Sequence, residues 1–230
     1  MEKNDISSVI ITLRKDSPKR NFPQTVDLVI NLRGLDLKKP EEKVELFVPL
    51  PHSKGKKITV CAFLDQTLAV KAKGVFDKII TKEEFASWNG KKAEQKRLAS
   101  AYDYFVAQAD LMAPLAATFG KVLGPKGKMP NPKAGCVFPG TIPHLAPIKD
   151  KLATLARLQT KGELSIKTSV GVDSMNDDAI TDNVLAVYNT LLTKLPQEEN
   201  NVKNVGIKFT MGPLFRIIAI KANASAKVKK

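Results

Sequence analysis

The most constraining feature of this sequence is a change in its hydrophobic rhythm part-way along the chain. Residues 25–33 alternate apolar and polar side chains, which is the period of a half-buried β-strand. From residue 64 to about residue 159, short strand-like runs alternate with longer helical ones, a pattern typical of parallel βα units. The βα pattern then ends, and an amphipathic helix over residues 178–195 is followed by two strand-like runs. The chain is therefore predicted to be mixed α/β, with a βα-patterned middle between two flanking segments.

The two flanking segments are predicted to form one domain, because chain termini often lie close together and insertions into a domain are tolerated. We assign residues 1–62 and 156–230 to a discontinuous α+β domain, and residues 63–155 to an inserted α/β domain. The first fifteen residues fit two structures. Asp5 can cap a helix that runs to about Lys15, whereas the β-branched run Val9–Thr12 suits a strand equally well.

The remaining elements follow from the same patterns. Strands are expected at residues 44–49, 58–63, 68–72, 104–109, 163–168, 205–209 and 215–221. Helices are expected at residues 82–101, 111–119, 144–159 and 178–195, with a loop over residues 120–143.

The net charge of the chain limits the classes of partner that it is expected to bind. The chain has 37 Lys and Arg against 23 Asp and Glu, a net charge of +14, which favours a polyanion such as nucleic acid or an anionic membrane. It shows no basic amphipathic membrane helix, no lipidation motif and no apolar run of membrane-spanning length, so nucleic acid is preferred. The polar, acidic N-terminal residues are unlike a signal peptide, and we expect a cytoplasmic protein.

Catalytic and metal-binding arrangements are absent from the sequence pattern. Cys61 and Cys136 lack the paired spacing of a zinc site, and His52 and His144 have no recognisable nucleophile and carboxylate partners. We predict no catalytic residue, no metal site and no cofactor. The acidic residues at 173, 177 and 178 are interpreted as residues of a helix N-terminus, where the helix dipole favours them.

A glycine- and lysine-rich segment, Gly120–Lys133, is similar to a phosphate-binding P-loop in composition but does not match the P-loop pattern. Met129 follows the lysine where Ser or Thr is required, and Val122 stands where the first glycine should be. Two interpretations stay open, a solvated flexible loop and a groove for a phosphate backbone. The candidate phosphate contacts in this segment are Lys121, Lys126, Lys128 and Lys133.

Two further segments are candidates for a nucleic-acid surface. Thr210–Pro213 lies between two strand-like runs, where a hairpin turn is the simplest interpretation, but glycine also permits close approach of another backbone. Phe22 stands beside Arg20 at the start of the best strand. A ring in this position can stack on a base, although a single phenylalanine is more often part of a core.

Taken together, four segments resemble the ribosomal protein L1 family: residues 20–28, 48–52, 120–130 and 210–213. They span nearly the whole chain in the family's order, and the glycine-lysine loop and the Thr-Met-Gly-Pro corner are specific to that family. The Arg-Asn-Phe triplet at Arg20 makes the resemblance archaeal in character, because bacterial members tend to have lysine before the phenylalanine.

The resemblance implies a binding protein of the mobile stalk of the large ribosomal subunit, beside the exit path of deacylated tRNA, and not an enzyme. It implies a split α+β domain made from both termini and an inserted Rossmann-like three-layer domain. In bacterial and archaeal members the terminal domain carries the main rRNA site and also binds the leader of the protein's own mRNA as a translational repressor. We expect a monomer away from the ribosome.

The resemblance also assigns site residues. The first RNA-contacting strand corresponds to Asn21, Phe22, Thr25 and Asp27, and the second to Lys208, Thr210, Met211 and Gly212. Arg20, Lys167 and Ser169 are assigned only weakly. For Lys167 and Ser169 the reason is that the hairpin that family members usually carry after residues 163–167 is shortened here. Two other hypotheses stay open: a phosphate-dependent enzyme in the βα-patterned middle, and a general basic RNA chaperone outside the ribosome.

Overall fold

Strand β1 (Thr25–Leu32) is an inner strand of a four-stranded antiparallel sheet in the computed structural model, which describes residues 1–18, 20–39, 42–141, 144–160 and 162–219. The alternation expected from the sequence is present, since Val26, Leu28 and Ile30 are buried. The other strands are β8 (Ser165–Val172), β9 (Val202–Phe209) and β10 (Phe215–Ala219), and the sheet order is β10-β9-β1-β8.

Helices α1 (Lys3–Asp16) and α7 (Asp177–Leu192) cover one face of this sheet. In α1 the buried side chains are Ile6, Ile10 and Leu13, which recur every three or four residues and so form one helical stripe. This spacing resolves the two interpretations of the opening segment in favour of the helix. A two-stranded antiparallel sheet, β2 (Glu45–Pro49) with β7 (Leu155–Gln159), adds further apolar side chains to the same core.

The described chain divides into two compact units. The split unit comprises residues 1–56 together with those from Thr154 on, and the inserted unit comprises residues 57–153. The inserted unit contains β3 (Val60–Leu64), α2 (Gln66–Lys71), β4 (Lys78–Thr81), α3 (Phe85–Trp88), α4 (Lys92–Ala101), β5 (Tyr104–Gln108), α5 (Met112–Leu123), β6 (Val137–Phe138) and most of α6 (Ala146–Thr154). Its strands form one parallel sheet in the order β4-β3-β5-β6.

Both faces of this parallel sheet are covered. Cys61 and Phe63 of β3 belong to a core with Phe85, Phe105 and Phe119, and Phe63 has its ring centroid 5.2–5.9 Å from the centroids of the other three rings. The intervening residues of β3 point to the opposite face and are buried as well. The mixed α/β class predicted from the sequence is confirmed by these two units.

Several expected elements differ from those observed. Residues 68–72, expected as a strand, belong mostly to helix α2, whose start is capped by the Asp65 carboxylate accepting from the Gln66 backbone N–H at 3.0 Å. The helix expected over residues 82–101 is interrupted at Gly90, whose φ of +81° lies in the left-handed region. Strand β4 was missed, and the loop expected at residue 120 begins after α5 instead.

The helix expected over residues 144–159 is wrong in its second half. Helix α6 ends at Thr154 and the chain continues directly into β7, where Ala156 pairs with Val48 and Leu158 with Leu46. Strand β8 extends to Val172, beyond the expected end at residue 168. Residues 220 and 221 of the last expected strand lie outside the described residues. In the part of the chain that the structure describes, no helix is both long and apolar enough to cross a membrane.

Candidate nucleic-acid interface

The face of the antiparallel sheet that points away from α1 and α7, here called the outer face, carries five of the predicted site residues: Thr25, Asp27, Lys167, Ser169 and Lys208. Alternate residues of β1, β8 and β9 point to it, because their neighbours along each strand are buried in the core. Its first row runs across three strands: Asp27 is paired with Lys208 of β9 on one side and with Ser169 of β8 on the other. All three side chains are half-buried.

The two predicted motifs meet at Thr210 and Asp27. The Thr210 hydroxyl lies 2.8 Å from the Asp27 Oδ2 and 3.2 Å from the Thr25 carbonyl oxygen, and it can donate to either. The backbone N–H of Thr210 also donates to the Thr25 carbonyl at 3.0 Å. The hairpin after β9 is therefore fastened to the start of β1 by main-chain and side-chain hydrogen bonds. Thr25, Asp27 and Thr210 form a single site.

The turn from Thr210 to Leu214 is a hairpin connection between β9 and β10, as its simplest interpretation predicts. The Gly212 N–H donates to the Phe209 carbonyl at 2.8 Å, which closes the turn. Gly212 itself has no side chain, and a Cβ at this position would lie in van der Waals contact with the Phe209 Cβ, at 3.4 Å. The corner thus presents backbone at its surface, which suits close approach of another chain.

Large apolar side chains are exposed beside this polar centre. Phe22 is 49% exposed, Met211 65% and Leu214 42%, and these are three of the five large hydrophobic side chains found exposed in the described residues. The Arg20 guanidinium carbon lies 5.9 Å from the centroid of the Phe22 ring, within the range of a cation–π contact. Asn21 is exposed between them. The exposure of Phe22 shows that it does not belong to the core.

The lysines of the glycine-rich segment lie in the inserted unit, and they differ in their hydrogen-bond partners and exposure. Lys128 Nζ donates to the carbonyls of Ala99 and Tyr102, at 2.8 and 2.6 Å, and so binds the C-terminal end of α4. Lys126 Nζ donates to the Ser100 Oγ at 2.7 Å. These two ammonium groups interact with carbonyl and hydroxyl oxygens of their own unit, at the helix end where the dipole favours a cation.

The other two lysines of this segment are exposed. Lys121 lies in the last turn of α5, and Lys133 lies in a short 3-10 helix, Pro132–Ala134. The segment is therefore neither a uniform flexible loop nor a uniform basic groove. In the split unit, Lys167 is exposed on the outer face, 3.4 Å from the Glu163 carboxylate, and its partner across the sheet is Val29.

Leu214 and Gly206 were not predicted as part of the site. Gly206 precedes Lys208 by two positions on the outer face, and a Cβ there would lie 3.0 Å from the Leu214 Cδ1 and 2.8 Å from the Phe215 carbonyl oxygen. The absence of a side chain at Gly206 allows Leu214 to lie over the sheet. A glycine inside an apolar strand pattern was the available signal.

The inserted unit contains a buried cysteine, Cys61. Burial raises the pKa of the Cys61 thiol to about 12, so it is an unreactive thiol at neutral pH. Among the described residues, no three His, Cys, Asp or Glu side chains cluster in a way that could hold a metal ion. In contrast, a polar centre with an apolar rim on the outer face can contact ribose hydroxyls and base surfaces.

Comparison with known proteins gives consistent matches along the chain. The sequence profile of the family described as "Ribosomal protein L1p/L10e family" matches residues 13–213. A protein of Methanothermobacter thermautotrophicus named "Large ribosomal subunit protein uL1" is 35% identical over 217 residues, which cover 94% of this chain and 100% of that protein.

Proteins with the same name from two other organisms are similar to a comparable degree. That of Thermococcus kodakarensis is 37% identical over 198 residues, which cover 86% of this chain and 89% of that protein. That of Thermoplasma volcanium is 35% identical over 218 residues, which cover 94% and 97%.

Proposed function

The chain belongs to the ribosomal protein L1p/L10e family, and on that premise we propose that it is a structural protein of the large ribosomal subunit that binds stalk rRNA. The resemblance drawn from the sequence motifs, including its archaeal character, is confirmed by the same matches. A ribosomal protein family also agrees with the prediction that the chain is not an enzyme.

The hydrogen bond between Thr210 and Asp27 carries the proposal for the site. It joins the two segments that the family resemblance assigns to RNA contact, and each of these segments also carries an exposed apolar side chain, Phe22 in one and Met211 in the other. A site with hydroxyl, carboxylate and backbone groups inside an apolar rim suits folded RNA, which is recognised through shape, stacking and ribose hydroxyls.

The direction of the Thr210 hydroxyl gives the site a preference for RNA over DNA. Both oxygens that face it, the Asp27 carboxylate and the Thr25 carbonyl, are acceptors, so the hydroxyl proton is used within the protein. The lone pairs of Thr210 Oγ1 are then available to accept a hydrogen bond from a ribose 2′-OH. DNA lacks that donor.

The split unit and the inserted unit are assigned different roles in RNA binding. We assign the main RNA site to the split unit, and we regard the inserted unit, with its parallel sheet in the order β4-β3-β5-β6, as a Rossmann-like domain. The net charge of +14 supplies sequence-independent attraction to RNA, while the polar centre supplies selectivity. Proximity to exit-site tRNA follows from a position on the stalk.

The same site is proposed to bind the leader of the protein's own messenger and to repress its translation. One RNA-binding surface can serve both RNAs if the leader folds into the shape that the stalk presents, because such sites recognise shape. Binding of both RNAs, and competition between them for the protein, is the expected result. A general RNA chaperone would instead bind an unrelated RNA of equal length with the same affinity.

The test measures the affinity of purified variants for a transcript of the Methanothermobacter thermautotrophicus stalk rRNA. Thr210→Ala and Met211→Ala are each expected to weaken binding by about 1–3 kcal/mol, the size of one specific contact. Replacing riboses by deoxyriboses in the contacted strand should weaken binding to the original protein more than binding to Thr210→Ala.

Thr12→Ala is the matched control, because Thr12 is exposed on helix α1, on the opposite side of the sheet, where its hydroxyl donates to the Ser8 carbonyl. It should bind as the original protein does. Unchanged affinity of a folded Thr210→Ala variant contradicts the assignment of the site.

A further inference from the structure

The outer face of the antiparallel sheet continues beyond the first row at Asp27. Moving two residues along β1, a second row contains Gly206, Val29 and Lys167, and a third contains Asn204, Asn31 and Ser165. Side chains of the same face recur every second residue, so successive rows are about 7 Å apart and the third lies about 13 Å from the first.

The third row is polar and carries no charge. The Asn31 Nδ2 donates to the Asn204 Oδ1 at 2.7 Å, which joins β1 and β9 across the face. Both asparagines and Ser165 are half-buried, so part of each remains accessible. An amide has two donor hydrogens and two acceptor lone pairs, so this single bond leaves both asparagines with further donors and acceptors.

The second row, between the two polar rows, is largely covered by the protein itself. Gly206 has no side chain, Val29 is 8% exposed, and Leu214 lies over Gly206. Beside these rows, Ser165 and Lys167 border a groove of about 450 Å³ with Arg157 and Gln159. The side of the outer face next to β8 is therefore open to a bound chain.

We propose that the RNA surface extends along β1 from Asp27 to this third row, where the Asn31–Asn204 pair binds ribose hydroxyls and phosphate oxygens of the same RNA. The inference rests on the RNA-binding function proposed above. An antiparallel sheet with two helices on one face and RNA on the other is an arrangement that RNA-binding domains use. Here the third row has amides in place of aromatic rings, so it contacts the sugar-phosphate chain and does not stack on bases.

Contacts from a neutral row differ from lysine contacts in how they change the salt dependence of RNA binding. Lysine contacts to phosphates release counterions, and each one lost lowers the slope of log affinity against log salt by about 0.7–0.9. Amide contacts release none. Asn31→Ala and Asn204→Ala are therefore expected to lower the affinity for the stalk rRNA transcript by about two- to tenfold each, the range of single hydrogen bonds, with the salt slope unchanged.

Asn204→Lys tests the same surface by adding a positive charge to it. A lysine at this position should reach a phosphate of RNA that lies on the third row and raise the salt slope by about 0.7–0.9. Asn189→Ala is the control, because Asn189 is exposed on helix α7, which covers the other face of the sheet. It should change neither affinity nor slope. Thermal unfolding of each variant shows that it is folded.

The outcomes separate this inference from the proposed function. If Thr210→Ala weakens binding while both alanine variants bind as the original protein does, the extension to the third row is wrong and the main site stands. An unchanged slope for Asn204→Lys also overturns the extension, even if the alanine variants are too unstable to measure. If Thr210→Ala has no effect but the asparagine variants do, the main site was assigned to the wrong row.

Discussion

Thr210 and Asp27 are 183 positions apart in the sequence, yet one hydrogen bond of 2.8 Å joins their side chains. Because Thr210 is exposed, this contact contributes little to the stability of the fold. Its importance lies in orientation, since it sets which way the Thr210 hydroxyl proton points. A single residue pair thus decides whether the surface offers a donor or an acceptor to a ligand.

Lys54 is a lysine whose pKa is changed by the fold. Burial lowers the pKa of its ammonium group from 10.5 to about 8, and the positive charge of Lys56 adds to the effect. In the window between pH 8 and 10.5 the unfolded state binds more protons than the folded state, so stability rises with pH there. At pH 7 the lysine is charged in both states, and its burial costs stability.

Lys54→Met is accordingly expected to raise the free energy of unfolding by about 1–2 kcal/mol at pH 7, with the gain disappearing as the pH approaches 10.5. Urea unfolding of both proteins at pH 7 and pH 10 measures the difference. Lys56→Met, changed at the neighbouring lysine, is the comparison. A gain that stays constant across this pH range contradicts the desolvation of Lys54.

At the scale of elements, the end of helix α4 explains why only part of the lysine-rich segment remains a candidate surface for RNA. The carbonyls of Ala99 and Tyr102 are bound by Lys128, and Lys126 binds Ser100. The last carbonyls of a helix have no partner within the helix, so a lysine in this position both satisfies them and complements the dipole. Lys121 and Lys133 remain as candidates for phosphate contact.

We predict that Lys128→Met lowers the free energy of unfolding by about 1–3 kcal/mol, the cost of leaving hydrogen-bond partners unsatisfied, with little change in the salt dependence of RNA binding. Lys133→Met should do the reverse, leaving stability unchanged and lowering the salt slope by about 0.7–0.9 if Lys133 contacts a phosphate. Thermal unfolding and titrations at several salt concentrations measure both. A fall in slope for Lys128→Met with unchanged stability would show that its role is electrostatic.

How far each element could be predicted from the sequence depends on where its partners lie. The alternation at residues 25–32 and the stripe of α7 are local patterns, and both elements were found. Strand β7 was mistaken for helix because its partner β2 lies more than a hundred residues earlier, and pairing at that distance leaves no local signal. In the predicted helix over residues 82–101, by contrast, Gly90 was a visible sign of the interruption.

The candidate site shows the same division. The segments around Phe22 and Thr210 were recognisable from their residues and from the family resemblance. Their hydrogen bond, and the room that Gly206 leaves for Leu214 over the sheet, depend on strand register and could not be predicted from either segment alone. The RNA contacts of these residues stay predictions until binding is measured.

At the scale of the whole molecule, the split unit is held together by contacts between its two chain segments. Asn183 is fully buried on α7, and its side chain bonds the backbone N–H and carbonyl of His52, at 3.0 and 3.1 Å, as well as the Val170 carbonyl. The Leu50 N–H donates to the Thr154 carbonyl at 2.8 Å. The points where the chain leaves and re-enters this unit are thus fixed by the unit itself.

Replacing residues 57–153 by a short Gly-Ser linker should therefore leave a folded split unit with its own hydrophobic core. We expect this shortened protein to unfold cooperatively and to bind the stalk rRNA transcript specifically, with a smaller salt slope because basic residues have been removed. Circular dichroism and titration measure the two properties. A folded product without specific binding would place the main RNA site in the inserted unit.

The position of β1 between β8 and β9 also determines when, during translation, this sheet can assemble. A ribosome that makes this chain completes Asp27 early and Thr210 near the end of synthesis, and β1 has neither neighbour until residues beyond 164 have emerged. A nascent chain that has not reached Thr210 therefore lacks the assembled form of the proposed RNA surface. If the proposed site is right, RNA would select only copies whose translation has reached the final hairpin, and binding would itself check that synthesis is complete.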